Sequence, residues 1–133
     1  MGLPHILIVD DDRDCRRLLR RLLDEQYRVS EVGSAEAALE LVLYGQGFDA
    51  VLCDLTMDGW SGADLYTRLV RRGNAHASRF VILSGDDVPA RRPDLAAALG
   101  ERILRKPFSA VALHRMLSNV LAGVAAPSQA PTA

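Results

Sequence analysis

Five stretches of this chain are short, rich in Val, Ile and Leu, and closed off by turn residues or charges: HILIVD (5–10), YRVSEV (27–32), DAVLCD (49–54), RFVILS (79–84) and RILRK (102–106). Each is predicted to be a strand. Three are apolar almost without interruption, where a strand with one wet face would alternate; that is the pattern of strands buried on both faces of a parallel sheet. Between them the apolar residues recur at helical spacing. From 13 to 26, Cys15, Leu18, Leu19, Leu22 and Leu23 share one face, and Arg13, Arg16, Arg17, Arg20 and Arg21 cover the other. Ser34 is placed to cap a second helix carrying Ala35, Ala38, Leu39, Val42 and Leu43. Leu65, Leu69 and Val70 mark a third after Gly62, and Ser109 caps a last one with Leu113, Met116, Leu117, Val120, Leu121 and Val124. Pro89 and Pro93 confine the fourth to little more than 93–99.

Five strands alternating with five helices predict an α/β domain: a doubly wound, five-stranded parallel sheet between two helix layers, a three-layer αβα architecture. A chain of 133 residues suits one such domain, assigned to 1–124. The remaining AAPSQAPTA (125–133) has no core-forming pattern and reads as a flexible tail or the start of a linker. No apolar run approaches the roughly 20 residues needed to cross a bilayer, and the amino terminus turns acidic after a short apolar stretch, so a cytoplasmic location without membrane attachment is expected. The formal charge of -1 argues against a dedicated nucleic-acid binder. Cys15 and Cys53 are far apart, with no CxxC and no nearby His pair, which signals neither a zinc site nor a redox motif; both read as small buried hydrophobes.

In a sheet of this class the binding site lies outside the carboxyl ends of the strands, where strand order reverses. The first predicted strand ends in Asp10, Asp11 and Asp12, the third in Asp54, the fourth in Ser84 and the fifth in Lys106, the one lysine among 16 basic residues. With strand order 2-1-3-4-5 the first and third are neighbours, so Asp10, Asp11 and Asp54 would share a small volume. Three carboxylates that close push protons onto one another unless a cation intervenes. Oxygen-only ligation with no His or Cys favours Mg²⁺ or a similar hard ion. Three carboxylates, a divalent ion and one ammonium sum to zero charge, and a phosphoryl dianion could engage both the metal and the lysine. An ammonium suits that place because it is a compact point charge, whereas the planar fork of arginine needs more room. Asp12 and Asp14 read as turn or helix-capping residues. His5, His76 and His114 read as structural or exposed, the arginine face of the first helix as solvated surface with a docking role as the alternative, and Trp60 as a loop aromatic.

VDDD (9–12), LCDLTM (52–57), ILSG (82–85) and LRKPF (104–108), in that order and at those intervals, resemble the motif set of the receiver domain of two-component response regulators. The resemblance spans about residues 4–123 and implies a CheY-like, flavodoxin-like fold with sheet order 2-1-3-4-5. It further implies that Asp54 is the phosphoacceptor, taking a phosphoryl group from the phosphohistidine of a sensor histidine kinase or phosphotransfer protein. Asp11, Asp54 and the backbone carbonyl of Thr56 would bind Mg²⁺, with Asp10 acting through a water. Ser84 and Lys106 would take phosphoryl oxygens, and the Lys106–Pro107 bond would be cis. On this reading the chain is no enzyme beyond its own aspartyl phosphorylation and dephosphorylation. A downstream protein or effector domain would read the switch, and a phosphorylation-dependent dimer is allowed. The chain departs from the family at Ile103, where a Tyr or Phe is usual, and at Asp58, where the loop often has proline. Two alternatives compete: a receiver-like binding module that is not phosphorylated, and a Mg²⁺-dependent phosphatase of the haloacid dehalogenase type. The latter wants Asp-x-Asp-x-Thr or Val, and Asp10 to Asp14 fails that pattern at its last position. A flavodoxin is disfavoured because the first strand leads into acids and not into a phosphate loop.

Overall fold

The uninterrupted apolar runs become the middle of a sheet. In the computed structural model, which describes residues 2–45 and 47–123, the strands are β1 (His5–Val9), β2 (Arg28–Val32), β3 (Ala50–Asp54), β4 (Phe80–Ser84) and β5 (Ile103–Arg105). All neighbours pair in parallel and the order is β2-β1-β3-β4-β5, as predicted. Every residue of β1, β3 and β4 is buried, whereas the edge strands β2 and β5 are not. The alternation of side chains along a strand sorts the core into two halves. Ile6, Ile8, Leu52 and Leu83 meet Leu19 and Leu23 of α1 (Arg13–Leu23) and Leu113 and Leu117 of α6 (Ala110–Gly123). On the other face Leu7, Val9, Val51 and Ile82 meet α2 (Ala35–Tyr44), α3 (Gly62–Arg71) and α5 (Pro93–Leu99). Full burial of a Leu or Ile side chain contributes roughly 1.5–3 kcal/mol, so these short helices are held by packing more than by propensity.

The predicted fourth helix is α5, within its expected bounds, and a separate short turn of helix, α4 (Val88–Arg91), precedes it; a 3₁₀ turn (Ala75–Arg79) lies ahead of β4. α1 stops at Leu23, short of the predicted 26: the N–H groups of Gln26 and Tyr27 both turn back to the Leu23 carbonyl, which sends Tyr27 into the core. Leu18 and Val70, placed on the inward faces by the pattern, are 53% and 49% exposed. Each sits about 100° around its helix from the buried Leu19 or Leu69, at the edge of an apolar stripe too wide for its groove. Cys53 is buried as expected, but Cys15 is only half-buried. β1 and β5 end a residue before their predicted bounds, leaving Asp10 and Lys106 as the first residues of loops, while β2, β3 and β4 end where predicted. Val124 and the segment 125–133 lie outside the described residues. Among the described helices none is long and apolar enough to cross a membrane.

Candidate functional site

β1 and β3 are neighbours whose chains leave in opposite directions along the sheet, β1 toward β2 and β3 toward β4, so a crevice opens beyond their carboxyl ends. Asp10 and Asp11 follow β1, and Asp54 is the last residue of β3. One carboxylate oxygen from each lies within 4.8 Å of the others, with Asp10 and Asp54 buried and Asp11 exposed. The turn after β1 folds onto its own side chains. Asp10 Oδ1 accepts the Asp12 N–H at 2.9 Å, and Asp12 Oδ1 accepts the Asp14 N–H at 2.9 Å, which makes Asp12 the cap of α1. Asp11 Oδ2 accepts the Asp58 N–H at 2.9 Å and so ties the first loop to the one after β3. That second loop is pinned where α3 begins, by a reciprocal cap between Ser61 and Asp64. Gly62 lets α3 start hard against the strand: a Cβ there would lie 2.5 Å from the Asp54 carbonyl oxygen.

From β5 comes the counter-charge. Lys106 Nζ donates to Asp54 Oδ1 at 2.8 Å, its N–H donates to the Ser84 carbonyl at 2.7 Å, and the Lys106–Pro107 bond is cis. Burial disfavours the ammonium, but the hydrogen bond and charge of Asp54, then the charge of Asp10, outweigh it and raise the Lys106 pKa. Asp10 is also raised: burial is the main cause, the Asp12 N–H opposes it, and the Asp54 charge adds to it. Its Oδ2 is buried without a hydrogen-bond partner. Three carboxylates facing one ammonium leave negative charge uncompensated, and an orphaned inward oxygen among them is what a hard cation with oxygen ligands would relieve. These residues therefore fit a divalent metal ion.

Ser84 stands at the end of β4, 2% exposed, but its hydroxyl is engaged within its own loop, accepting the Asp86 N–H at 2.9 Å. Thr56 is exposed in the loop after β3. Arg68 lies over the ring of Trp60, 3.8 Å from its centroid. Two neighbours of the site escaped the sequence reading. Arg16 leaves the solvated arginine face and donates from Nη1 to the Asp10 carbonyl at 2.7 Å. Cys15 donates to Asp12 Oδ2 at 3.4 Å, and burial, followed by that carboxylate, pushes its thiol up to about 11, which leaves it a poor nucleophile at neutral pH. Nothing in the local sequence marks Arg16, because the residues that hold it arrive from β1 and β2.

Residues 6–118 match the family model of the response regulator receiver domain. The chain belongs to that family. Among the relatives of this receiver domain is the two-component response regulator ORR6 of Oryza sativa subsp. japonica, 30% identical over 119 residues that cover 87% of this chain and 70% of that protein. A CheY-like receiver domain from Methylobacillus flagellatus is 28% identical with a TM-score of 0.76, covering 90% of this chain and 99% of that one. The response regulator TrrA of Thermotoga maritima, solved in complex with Mg(2+)-BeF, is 25% identical with a TM-score of 0.74, covering 90% of this chain and all (100%) of that one.

Proposed function

We propose that this receiver domain accepts a phosphoryl group on Asp54 from the phosphohistidine of a histidine kinase or phosphotransfer protein, in a Mg²⁺-dependent reaction. The observation that carries the reading is the contact of Lys106 Nζ with Asp54 Oδ1, at 2.8 Å, beside two further carboxylates. An Asp54 oxygen forms the new O–P bond as the P–N bond breaks, and the departing imidazole keeps the electron pair and takes up a proton. Asp10, Asp11, Asp54 and the Thr56 carbonyl are the groups that would hold Mg²⁺. When bound, the ion supplies positive charge to the phosphoryl oxygens and offsets the acidic cluster. Lys106 takes one phosphoryl oxygen. Ser84 takes another once its hydroxyl has let go of Asp86, and that exchange of partners is the natural start of a conformational signal in the loop leading to α4. With Ile103 where the family places Tyr or Phe, no ring is available to follow it, and an isoleucine is stiff at its first torsion.

A cavity of about 640 Å³ beside the site supports a protein donor; its lining includes Asp10, Leu18, Lys106 and Phe108. It offers apolar anchorage next to the acceptor, within reach of the basic face of α1. The test is incubation with acetyl phosphate and Mg²⁺ followed by intact mass, beside Asp54→Asn. One base-labile phosphoryl group on the wild type and none on the variant is the expected result. No gain on the wild type, or an equal gain on the variant, overturns the reading.

A further inference from the structure

We propose that Arg16 is a positioning residue for the metal ligands, holding the turn that carries Asp10 and Asp11 by its backbone. The inference rests on the reading of those acids as a Mg²⁺ site. β1 ends at Val9, so the Asp10 carbonyl has no place in the sheet ladder. Its N–H is still tied, to the Val32 carbonyl at 3.2 Å. Arg16 supplies the second tie, from Nη1 to the Asp10 carbonyl at 2.7 Å. With both ends of the residue fixed, the Asp10 carboxylate is confined to the crevice and the Asp11 carboxylate follows one step behind.

Arg16 is itself held firmly. Its Nε donates to Glu31 Oε1 at 2.7 Å, and the other oxygen of Glu31 takes Arg20 Nε at 2.8 Å. Two edges of one guanidinium thus reach two partners, a carbonyl on β1's loop and a carboxylate on β2. A planar fork can do this, while an ammonium reaching one of them gives up the other. Only 18% of the Arg16 side chain is exposed, against 37% for Arg20, and the Gly33 backbone comes close enough that a Cβ there would lie 3.5 Å from Nη1. Arg16 is thereby built into the junction of β1, β2 and α1, and its solvated neighbours Arg13, Arg17 and Arg21 are not.

Charge and positioning make opposite predictions, which gives the test its power. If Arg16 acts only as a nearby cation, removing it makes the acidic crevice more negative and tightens Mg²⁺ binding. If it positions the ligands, removing it loosens binding; outer-shell partners of metal ligands typically cost about tenfold or more in affinity when lost. Calorimetric titration of the whole chain with Mg²⁺ at a temperature well below unfolding decides between them. Arg16→Gln is expected to bind about tenfold more weakly. Arg16→Lys should be weakened as well despite keeping its charge. Arg20→Gln, which breaks the same Glu31 cluster without touching Asp10, should stay within about twofold of the wild type. A metal-free readout runs in parallel: amide exchange at Asp12, whose N–H is held by the Asp10 carboxylate, should quicken in Arg16→Gln and not in Arg20→Gln. Unchanged or tighter Mg²⁺ binding in Arg16→Gln overturns the inference, and Arg16→Lys carries the same test if the glutamine variant does not fold. A wild type that takes up no Mg²⁺ overturns the site reading itself and this inference with it. A wild type that binds while the variants match it overturns the inference alone.

Discussion

At the amino end of the sheet His76 is buried with both ring nitrogens engaged: Nε2 accepts the Phe48 N–H at 3.0 Å and Nδ1 faces Asn74 Oδ1 at 2.7 Å. His5 beside it contacts Ser30 Oγ and an Arg28 guanidinium nitrogen through its two ring nitrogens. Away from the carboxyl end, Arg79 Nε and the Nδ1 of His114, whose ring stacks on Tyr27, are buried without a partner. At the carboxyl end, Asp10 is buried just as deeply but with one oxygen orphaned and two further carboxylates near it. Both ends contain buried titratable groups. One end satisfies its two histidines from within; the other leaves a carboxylate oxygen short among like charges, a demand that a cation can meet. An unsatisfied buried polar group costs about 1–3 kcal/mol, and what sets Asp10 apart from Arg79 and His114 is that its orphaned atom lies among two further carboxylates.

The largest effect that sharpens this contrast is all-or-none. Asp54→Asn should abolish phosphoryl uptake from acetyl phosphate, read by intact mass, while thermal unfolding shows a folded chain. Next comes the satisfied end. His76→Ala leaves the buried Phe48 N–H without an acceptor and should cost about 2–3 kcal/mol by urea denaturation, with phosphorylation of Asp54 retained. A smaller effect of opposite sign is expected at the other end: Asp10→Asn removes one of three like charges and should stabilise the metal-free chain by about 1 kcal/mol. If both substitutions destabilise alike, the contrast between the two ends fails. In the same series, Mg²⁺ at 100 times its dissociation constant should stabilise the wild type by about 2.7 kcal/mol, and Asp10→Asn should lose much of that gain.

The smallest effect is in the pH dependence, and the two ends again differ in sign. Burial, followed by the charge of Arg28 at His5 and of Arg79 at His76, holds both histidines below the ordinary value. They contribute stability that is fully present above about pH 6.5 and is lost as pH falls from there through their lowered folded values. Asp10 is raised, so the folded chain binds its proton more readily than the unfolded one. Its contribution is best in acid and is lost as pH rises through its folded value. Metal-free stability curves should therefore show the acid-side loss reduced in His76→Ala, and the loss on raising pH above the ordinary carboxylate range reduced in Asp10→Asn. Identical curve shapes in all three chains would remove the distinction.

Much of this is legible in the sequence. Strands buried on both faces write themselves as apolar runs, and the residues that close those runs, Asp10, Asp54, Ser84 and Lys106, come together because the carboxyl edge of a parallel sheet is where loops converge. Asp12 was readable as a cap because its partner, the N–H of Asp14, is two residues away. Leu18 is exposed where periodicity predicts burial, because periodicity reports the direction of a side chain and not whether a neighbour reaches it. Arg16 departs from its predicted solvated place for a related reason: five arginines on one helix face look alike until β2 presents Glu31 to two of them.

The amino-acid sequence alone determined the element types, the two-faced burial of the central strands and the kinds of group delivered to one edge, since each depends on residues a few positions apart. Tertiary structure alone decided which of those groups touch. The bond from Lys106 to Asp54 joins residues 52 positions apart, and that from Arg16 to Glu31 joins a helix to a neighbouring strand. Such contacts follow from strand order and from competition among nearby donors and acceptors, and no local spacing encodes either.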